Sequence, residues 1–356
     1  MKILHSADWH LDSPIQGRTD DQSALLKGVL LKLPQQVMAV AKAENCDMVI
    51  LSGDLFDGPA SPESVQALKN ALEEISVPVC IAPGNHDPYT AASVWETQHW
   101  PAHVHIFTAQ TVESVVFPEL NCCVYGAAFT GSEAPGLLSG FRAETEQTHV
   151  IGLFHGDPTH AASVYGPVTA QEIQQSGLDY LALGHIHKRG ELKVGETLCA
   201  WPGCPMGRGF DELDEKGVLI VTLEDEVKTT FLPLDTPRFY DWEIEAGGNP
   251  AEAIDKRLPA AGNTDFYRIT LTGESEMLDV AGLVGQFSRF PNLILRDRTV
   301  APVDLWASAG EDTLEGTYFR LLQEAMADGD EETCRRILLA AKISRQLLSG
   351  QEVKLP

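Results

Sequence analysis

Five apolar runs within the first 187 residues of this chain end alike, in a short turn carrying Asp, Asn or His, and any fold must bring those turns somewhere. The runs are Ile3-Leu4-His5-Ser6-Ala7-Asp8-Trp9-His10, Met48-Val49-Ile50-Leu51-Ser52-Gly53-Asp54, Val150-Ile151-Gly152-Leu153-Phe154-His155 and Tyr180-Leu181-Ala182-Leu183-Gly184-His185-Ile186-His187. The fifth, Ser76-Val77-Pro78-Val79-Cys80-Ile81, leads into Pro83-Gly84-Asn85-His86-Asp87. Each reads as a short buried strand closed by a turn. Open α/β sheets place their sites beyond the carboxyl ends of their strands, where these polar groups begin.

The intervening sequence supports a sheet with covering helices. Leu25, Leu26, Val29, Leu30, Leu33, Val37, Val40 and Ala41 recur at helical spacing across 22–44, and a second helix opens at Ser61-Pro62-Glu63 and carries Val65, Leu68, Leu72 and Ile75. That alternation predicts parallel strands. From Val104 to Ala128 short strands follow one another without a helix, so a second, more antiparallel sheet is expected. Thr130 to Gly140 reads as a surface loop, Val168 to Ser176 as a helix, and Leu198–Trp201, Gly217–Leu223 and Val227–Leu232 as closing strands. The first domain is expected over 1–237, and a compact module alternating strand and helix over 238–305. A tail over 306–356 should be an amphipathic helical hairpin broken at Asp328-Gly329-Asp330, packed either on its own protein or on a partner.

Composition narrows the classes. A protein that grips nucleic acid by neutralising phosphates should show basic stripes, whereas this chain has a net charge of −25 and shows none. If DNA is the substrate, much of the grip must come from metal ions or a partner. The seven cysteines are an odd set with no C-x-x-C pair, which reads as buried free thiols. No basic-then-apolar leader precedes the first strand and no apolar run approaches the ~18 residues that cross a bilayer, so a soluble cytoplasmic protein with no membrane contact is expected.

The clustered residues are oxygen and nitrogen donors without a thiolate, a set suited to Mn²⁺, Fe²⁺ or Zn²⁺. Asp8 and His10, two apart on an extended chain, would point to one side and chelate one ion. Gly53 lets the backbone turn so that the Asp54 carboxylate can bridge two ions. Asn85 adds a neutral oxygen, and His155, His185 and His187 add nitrogens from two further strand ends. Asp87 would either orient His86 through a hydrogen bond or cap the turn. Arg208, in a glycine-rich loop, offers a phosphate contact or a surface ion pair.

Taken in order, D-x-H at Asp8 and His10, G-D at Gly53-Asp54, G-N-H-D at Gly84 to Asp87, His155, and G-H-x-H at Gly184 to His187 resemble the calcineurin-like metallophosphoesterase superfamily. Within it, the opening Ile3 to Leu11, Gly53-Asp54-Leu55-Phe56-Asp57 and Trp201-Pro202-Gly203-Cys204-Pro205 look like bacterial SbcD-type DNA repair exonucleases, especially their YhaO-like relatives. The resemblance implies a four-layer α/β/β/α sandwich, a small α/β capping domain and a C-terminal helical tail. It implies two divalent metal ions, Mn²⁺ foremost, one held by Asp8, His10, Asp54 and His187 and the other by Asp54, Asn85, His155 and His185. His86 would stabilise developing charge or protonate the leaving oxygen. Where archaeal and eukaryotic nucleases of this family carry a His, this chain has Asp57.

The implied activity is Mn²⁺-dependent hydrolysis of phosphodiester bonds at DNA ends, with an SMC-like ATPase of the SbcC type docked on the tail and a homodimer as a further assembly. Two rivals stand beside it. A phosphoesterase for small nucleotides or phosphoproteins would suit the acidity, and a non-catalytic scaffold would have lost ligands that this chain retains.

Overall fold

Both faces of a central strand are buried in a layered α/β protein, so such strands read as unbroken apolar runs rather than alternating ones. This is what the sequence does. In the computed structural model, which describes residues 1–350 apart from 16, 17, 303 and 328, β1 (Lys2–Ser6), β2 (Met48–Leu51), β3 (Val79–Ile81) and β4 (Val104–Ile106) run parallel side by side. A second sheet takes β5 (Glu113–Phe117), β6 (Cys122–Gly126), β7 (His149–His155), β8 (Tyr180–Gly184), β9 (Gly190–Val194) and β10 (Thr197–Trp201), in the order β5-β6-β7-β8-β10-β9. The chain then returns to the first sheet with β11 (Gly217–Leu223) and β12 (Val227–Pro233), giving the order β12-β11-β1-β2-β3-β4.

The second sheet differs from the expectation. Its centre is parallel, β6 with β7, β7 with β8 and β8 with β10, and only β5 and β9 at its edges pair antiparallel. The expectation relied on helices to mark parallel crossovers. Between β6 and β7 the crossover is instead the Gly-, Ser- and Pro-rich stretch 127–148, so no helical period announces it.

Helices α1 (Asp20–Ala43) and α2 (Pro62–Glu73) cover the first sheet, and α4 (Ala170–Ser176) lies against the second, with a single turn, α3 (Val94–Thr97), between. Thr19 and Thr169 open α1 and α4 as capping boxes with Gln22 and Glu172, and Ser61 caps α2 ahead of Pro62. By length and composition α1 could cross a membrane. Its apolar side chains, Leu26, Leu30, Leu33, Val37 and Met38, lie instead in the core beneath it.

Three cores define the four layers. Leu4, Val49, Leu51 and Ile81 face α1 and α2, while their neighbours Ile3, Met48, Ile50 and Cys80 face Val124, Ile151, Leu153 and Ala182 of the second sheet. On that sheet's far side Cys123, Phe154, Leu181 and Leu183 pack with Ile173 of α4. All seven cysteines are free, and six are buried. Ile50 is fully buried between the sheets. Ile50→Ala should therefore cost about 2–5 kcal/mol, read as a lower urea midpoint with an unchanged slope.

The chain divides into two compact units. One comprises Met1–Trp242, Ala260–Ile269 and Val284–Leu295, and the other Glu243–Pro259, Thr270–Leu283 and Arg296–Pro356. The expected segment 238–305 is thus shared between them. It holds β13 (Phe239–Glu245), α5 (Pro250–Arg257), β14 (Phe266–Thr272), α6 (Val280–Gln286) and β15 (Leu293–Asp297), in the expected alternation and in the sheet order β13-β14-β15. In the second unit α7 (Leu314–Ala327) and α8 (Glu331–Leu348) pair through Tyr318 and Ser344, 2.8 Å, and Arg345 and Glu315, 2.5 Å. Asp330 caps α8 by accepting from the Thr333 N–H; of the expected break, Asp328 lies outside the described residues.

Candidate metal centre

The five turns meet at one place. Asp8 and His10 follow β1, Asp54 follows β2, Asn85 and His86 follow β3, His155 is the last residue of β7, and His185 and His187 follow β8. Asp8, His10, Asp54 and His155 are buried. The chain is held here in uncommon conformations: Asp8, His10, Asp54 and His185 have φ of 55°, 48°, 53° and 89°, half of the eight described non-glycine residues with positive φ. Each such residue costs about 1–3 kcal/mol and persists only where its surroundings fix it. Asp8 and His10 therefore do not share a side by strand alternation, as expected, because β1 has ended at Ser6. Backbone bonds position them instead, from Asp8 N to Gly53 O and from His10 N to Asp54 O, each 3.0 Å. Gly53 is required by contact as well as by its φ of 86°, since a Cβ there would lie 2.6 Å from His155 Nδ1.

Two sets of donors face one carboxylate. In the first, His10 Nε2 and His187 Nε2 are 3.0 Å apart beside Asp8. In the second, Asn85 Oδ1 lies 2.9 Å from His155 Nε2 and 3.3 Å from His185 Nδ1. Asp54 Oδ2 is 3.7 Å from His10 Nε2 and 3.3 Å from His155 Nε2, so one oxygen borders both sets. The other oxygen of Asp54 accepts from the His86 N–H at 2.9 Å.

The hydrogen bonding inside this cluster is incomplete in the way a cation would complete. His155 Nδ1 lies 2.8 Å from Ser52 O and donates to it, which turns Nε2 toward the oxygens of Asn85 and Asp54, a position that calls for a proton or a cation on that nitrogen. Asp8 Oδ2 and His10 Nδ1 are buried without a hydrogen-bond partner. Burial raises the Asp8 carboxyl to about 6 and lowers His10 to about 3. Burial also opposes a charge on His155, but Asp54 and Asp8 outweigh it and raise that imidazole to about 9. A site of this kind lacks positive charge, and its oxygen and imidazole donors fit divalent ions of borderline hardness. Asp8, His10 and His187, and again Asp8, Asp54 and His155, bring donor atoms close enough to share an ion.

Glu212 belongs to the site and carries no motif. Its buried carboxylate accepts from His187 Nδ1 at 2.7 Å, which fixes that proton and turns Nε2 toward His10. It also accepts from Arg208 Nη2 at 2.6 Å and Arg208 N at 2.8 Å. Burial would raise the Glu212 carboxyl, but its bonds from His187 and Arg208 hold it well below the usual range. Arg208 is accordingly an ion-paired residue, as one of its two expected roles had it, though it is largely buried rather than on the surface. The sequence signal was the acid–base pair at i, i+4 inside a glycine-rich loop. Glu212→Gln should weaken Mn²⁺ binding about 10–100-fold in calorimetric titration.

The orientation of His86 also differs from the expectation. Asp87 accepts backbone N–H groups of Gly84 and Leu55, both at 2.8 Å, and of Asp54 and Phe56, both at 3.2 Å. It ties the two turns together as a capping carboxylate. The partner of the His86 ring is Asp57, whose Oδ1 lies 2.8 Å from His86 Nδ1. Burial would raise the Asp57 carboxyl, but the bond from His86 outweighs it and keeps the carboxyl below its ordinary value. The His86 side chain is 45% exposed beside the buried cluster, its ring 4.8 Å from that of His10. Tyr165 covers His185, with ring centroids 4.9 Å apart.

A histidine at the open side of a carboxylate- and imidazole-lined centre, on the edge shared by two mixed sheets, describes a phosphoesterase. Residues 1–189 match the calcineurin-like phosphoesterase family, and the chain belongs to it. A metallophosphoesterase of Bacillus subtilis named YhaO is 30% identical over 237 residues, which are 62% of this chain and 57% of that protein. This match thus spans little more than half of that relative's length. The SbcD subunit of the SbcCD nuclease of Staphylococcus epidermidis is 23% identical over 95% of this chain and 98% of its own length. Among solved structures, a dimetal phosphatase from Danio rerio aligns with a TM-score of 0.42 and 12% identity over 65% of this chain and 98% of that one.

Proposed function

We propose that this protein is a cytoplasmic, Mn²⁺-dependent phosphodiesterase that degrades DNA from its ends in repair. The observation that carries the hydrolytic part is Asp54 Oδ2 standing between two sets of nitrogen and oxygen donors, with His86 beside them. Asp8, His10, Asp54 and His187 would hold one ion, and Asp54, Asn85, His155 and His185 the other. Divalent ions, when bound, supply Lewis-acid activation of the phosphate and of water. The chain's own contribution is positional: Ser52 and Glu212 set the tautomers of His155 and His187, and Asp87 locks the turns that carry Asp54 and His86. Asp57 accepts a hydrogen bond from His86 Nδ1–H, which orients the ring so that, in its protonated form, the Nε2–H would be given to the departing oxygen.

The choice of DNA rests on the SbcCD-type relatives, since one fold hosts many substrates. It is tested by incubating the purified protein with end-labelled double-stranded DNA and Mn²⁺, beside a panel of small phosphodiesters. Shortening of DNA that stops on chelation supports the reading. Hydrolysis of small diesters with intact DNA, even after addition of an SbcC-type ATPase, replaces it with a nucleotide phosphoesterase, which the charge of −25 favours.

The stretches 238–305 and 306–356 are assigned as a cap over the nuclease and a docking tail, and a homodimer is part of the same proposal. Leu314, Leu321, Leu347 and Leu348 on the tail helices are 89%, 58%, 63% and 59% exposed, a supply of apolar surface for an ATPase. Deleting 311–356 should abolish capture of that ATPase in a pull-down, and undiminished capture would overturn the docking role.

A further inference from the structure

Beside the candidate metal centre lies an open cavity of about 650 Å³ lined by Ser13, Arg18, Arg208, Phe210, Glu212 and Arg268 among others. Three guanidinium groups on one cavity are conspicuous in a chain with 26 basic against 51 acidic residues. Two of them are already held: Arg208 by Glu212 and by Ser13 Oγ at 3.2 Å, and Arg268 by both carboxylate oxygens of Asp241, at 2.9 and 2.5 Å. Arg268 also lies over the Phe210 ring, 4.3 Å from its centroid.

Arg18 differs. Among the described residues it makes no hydrogen bond or ion pair, and its Nε is buried without a partner. Its guanidinium sits over Phe210, Phe239 and Phe266, at 5.2, 5.2 and 5.5 Å from their centroids. Those rings fix its position but satisfy none of its N–H donors. A charged group with unfilled donors, aligned beside two others that are pinned, is preorganised for an anion with several acceptor oxygens. The cavity joins the metal centre directly, for Arg208 Nη2 lies 3.2 Å from His187 Nδ1 and Glu212 touches both.

We propose that this cavity is a second phosphate subsite, in which Arg18, supported by Arg268, binds the phosphate adjacent to the one being hydrolysed. The inference rests on the phosphodiesterase reading above and sharpens it: the preferred substrate is a nucleotide chain bearing at least two phosphates, not an isolated diester. It also gives an acidic protein a local grip on a polyanion.

The test uses hydrolysis of thymidine 5′-p-nitrophenyl phosphate by the intact Mn²⁺-loaded protein, with thymidine 3′,5′-bisphosphate and thymidine 5′-monophosphate as competing inhibitors. The bisphosphate should inhibit about 10- to 100-fold more tightly than the monophosphate. That ratio should collapse toward one in Arg18→Met and be only partly retained in Arg18→Lys, which keeps the charge without the fork. Equal inhibition by the two nucleotides in the wild type, or a ratio that Arg18→Met and Arg18→Lys leave unchanged, overturns the subsite while leaving the phosphodiesterase reading in place. A wild type that does not hydrolyse the diester at all overturns that reading and the subsite with it.

Discussion

Asp54→Asn is expected to reduce Mn²⁺ binding from two ions per chain to one or none and to lower phosphodiester hydrolysis by about 10³-fold or more. The substitution is close to isosteric, so it leaves the acceptor for the His86 N–H in place and removes mainly the negative charge. That charge has no substitute. Asp54 Oδ2 borders His10 on one side and His155 on the other, whereas Asn85 and His187 each belong to one set. Loss at Asp54 should accordingly exceed loss at either of those two. Titration calorimetry on each variant checks the ranking, and a variant that still binds two ions with wild-type affinity would show that the carboxylate is not shared.

The second large effect separates His86 from its neighbours. His86→Ala should lower kcat by about 10²–10⁴-fold while two Mn²⁺ ions remain bound, because the proposed mechanism puts the ring on the leaving oxygen and outside both ion sets. Asp57→Asn should lower kcat by a smaller factor, about tenfold, since it replaces the carboxylate that receives the His86 Nδ1 proton and leaves the ring in place. Asp87→Asn should instead act on stability. It takes a carboxylate away from four backbone N–H groups in a buried turn, at a cost of about 1–3 kcal/mol. Thermal unfolding and steady-state kinetics on the three variants distinguish the roles. A kcat loss at Asp87 larger than at Asp57, without loss of stability, would return the orienting function to Asp87.

These two carboxylates also mark where the sequence stopped being legible. The strand ends were readable because a run buried on both faces carries an apolar signal that stops abruptly, and polar donor residues take over at each stop. Which side chain meets which was not. Asp87 adjoins His86 in the chain, but the turn directs its carboxylate inward to the Asp54 and Gly84 N–H groups, and the imidazole turns to Asp57 across the loop. Asp8 and His10 were placed together on a false premise, strand alternation, when left-handed backbone held by Gly53 and Asp54 carbonyls does the work. Glu212 arrives from a loop after β10, where sequence offers only an Arg208–Glu212 spacing. The parallel centre of the second sheet was hidden because its β6–β7 crossover has no helix, and periodicity reports helices.

The most direct test of the shared centre is anomalous diffraction from crystals grown with Mn²⁺. The account predicts two peaks flanking Asp54, one bordered by Asp8, His10 and His187 and the other by Asn85, His155 and His185. A single peak, or peaks away from Asp54, would contradict it.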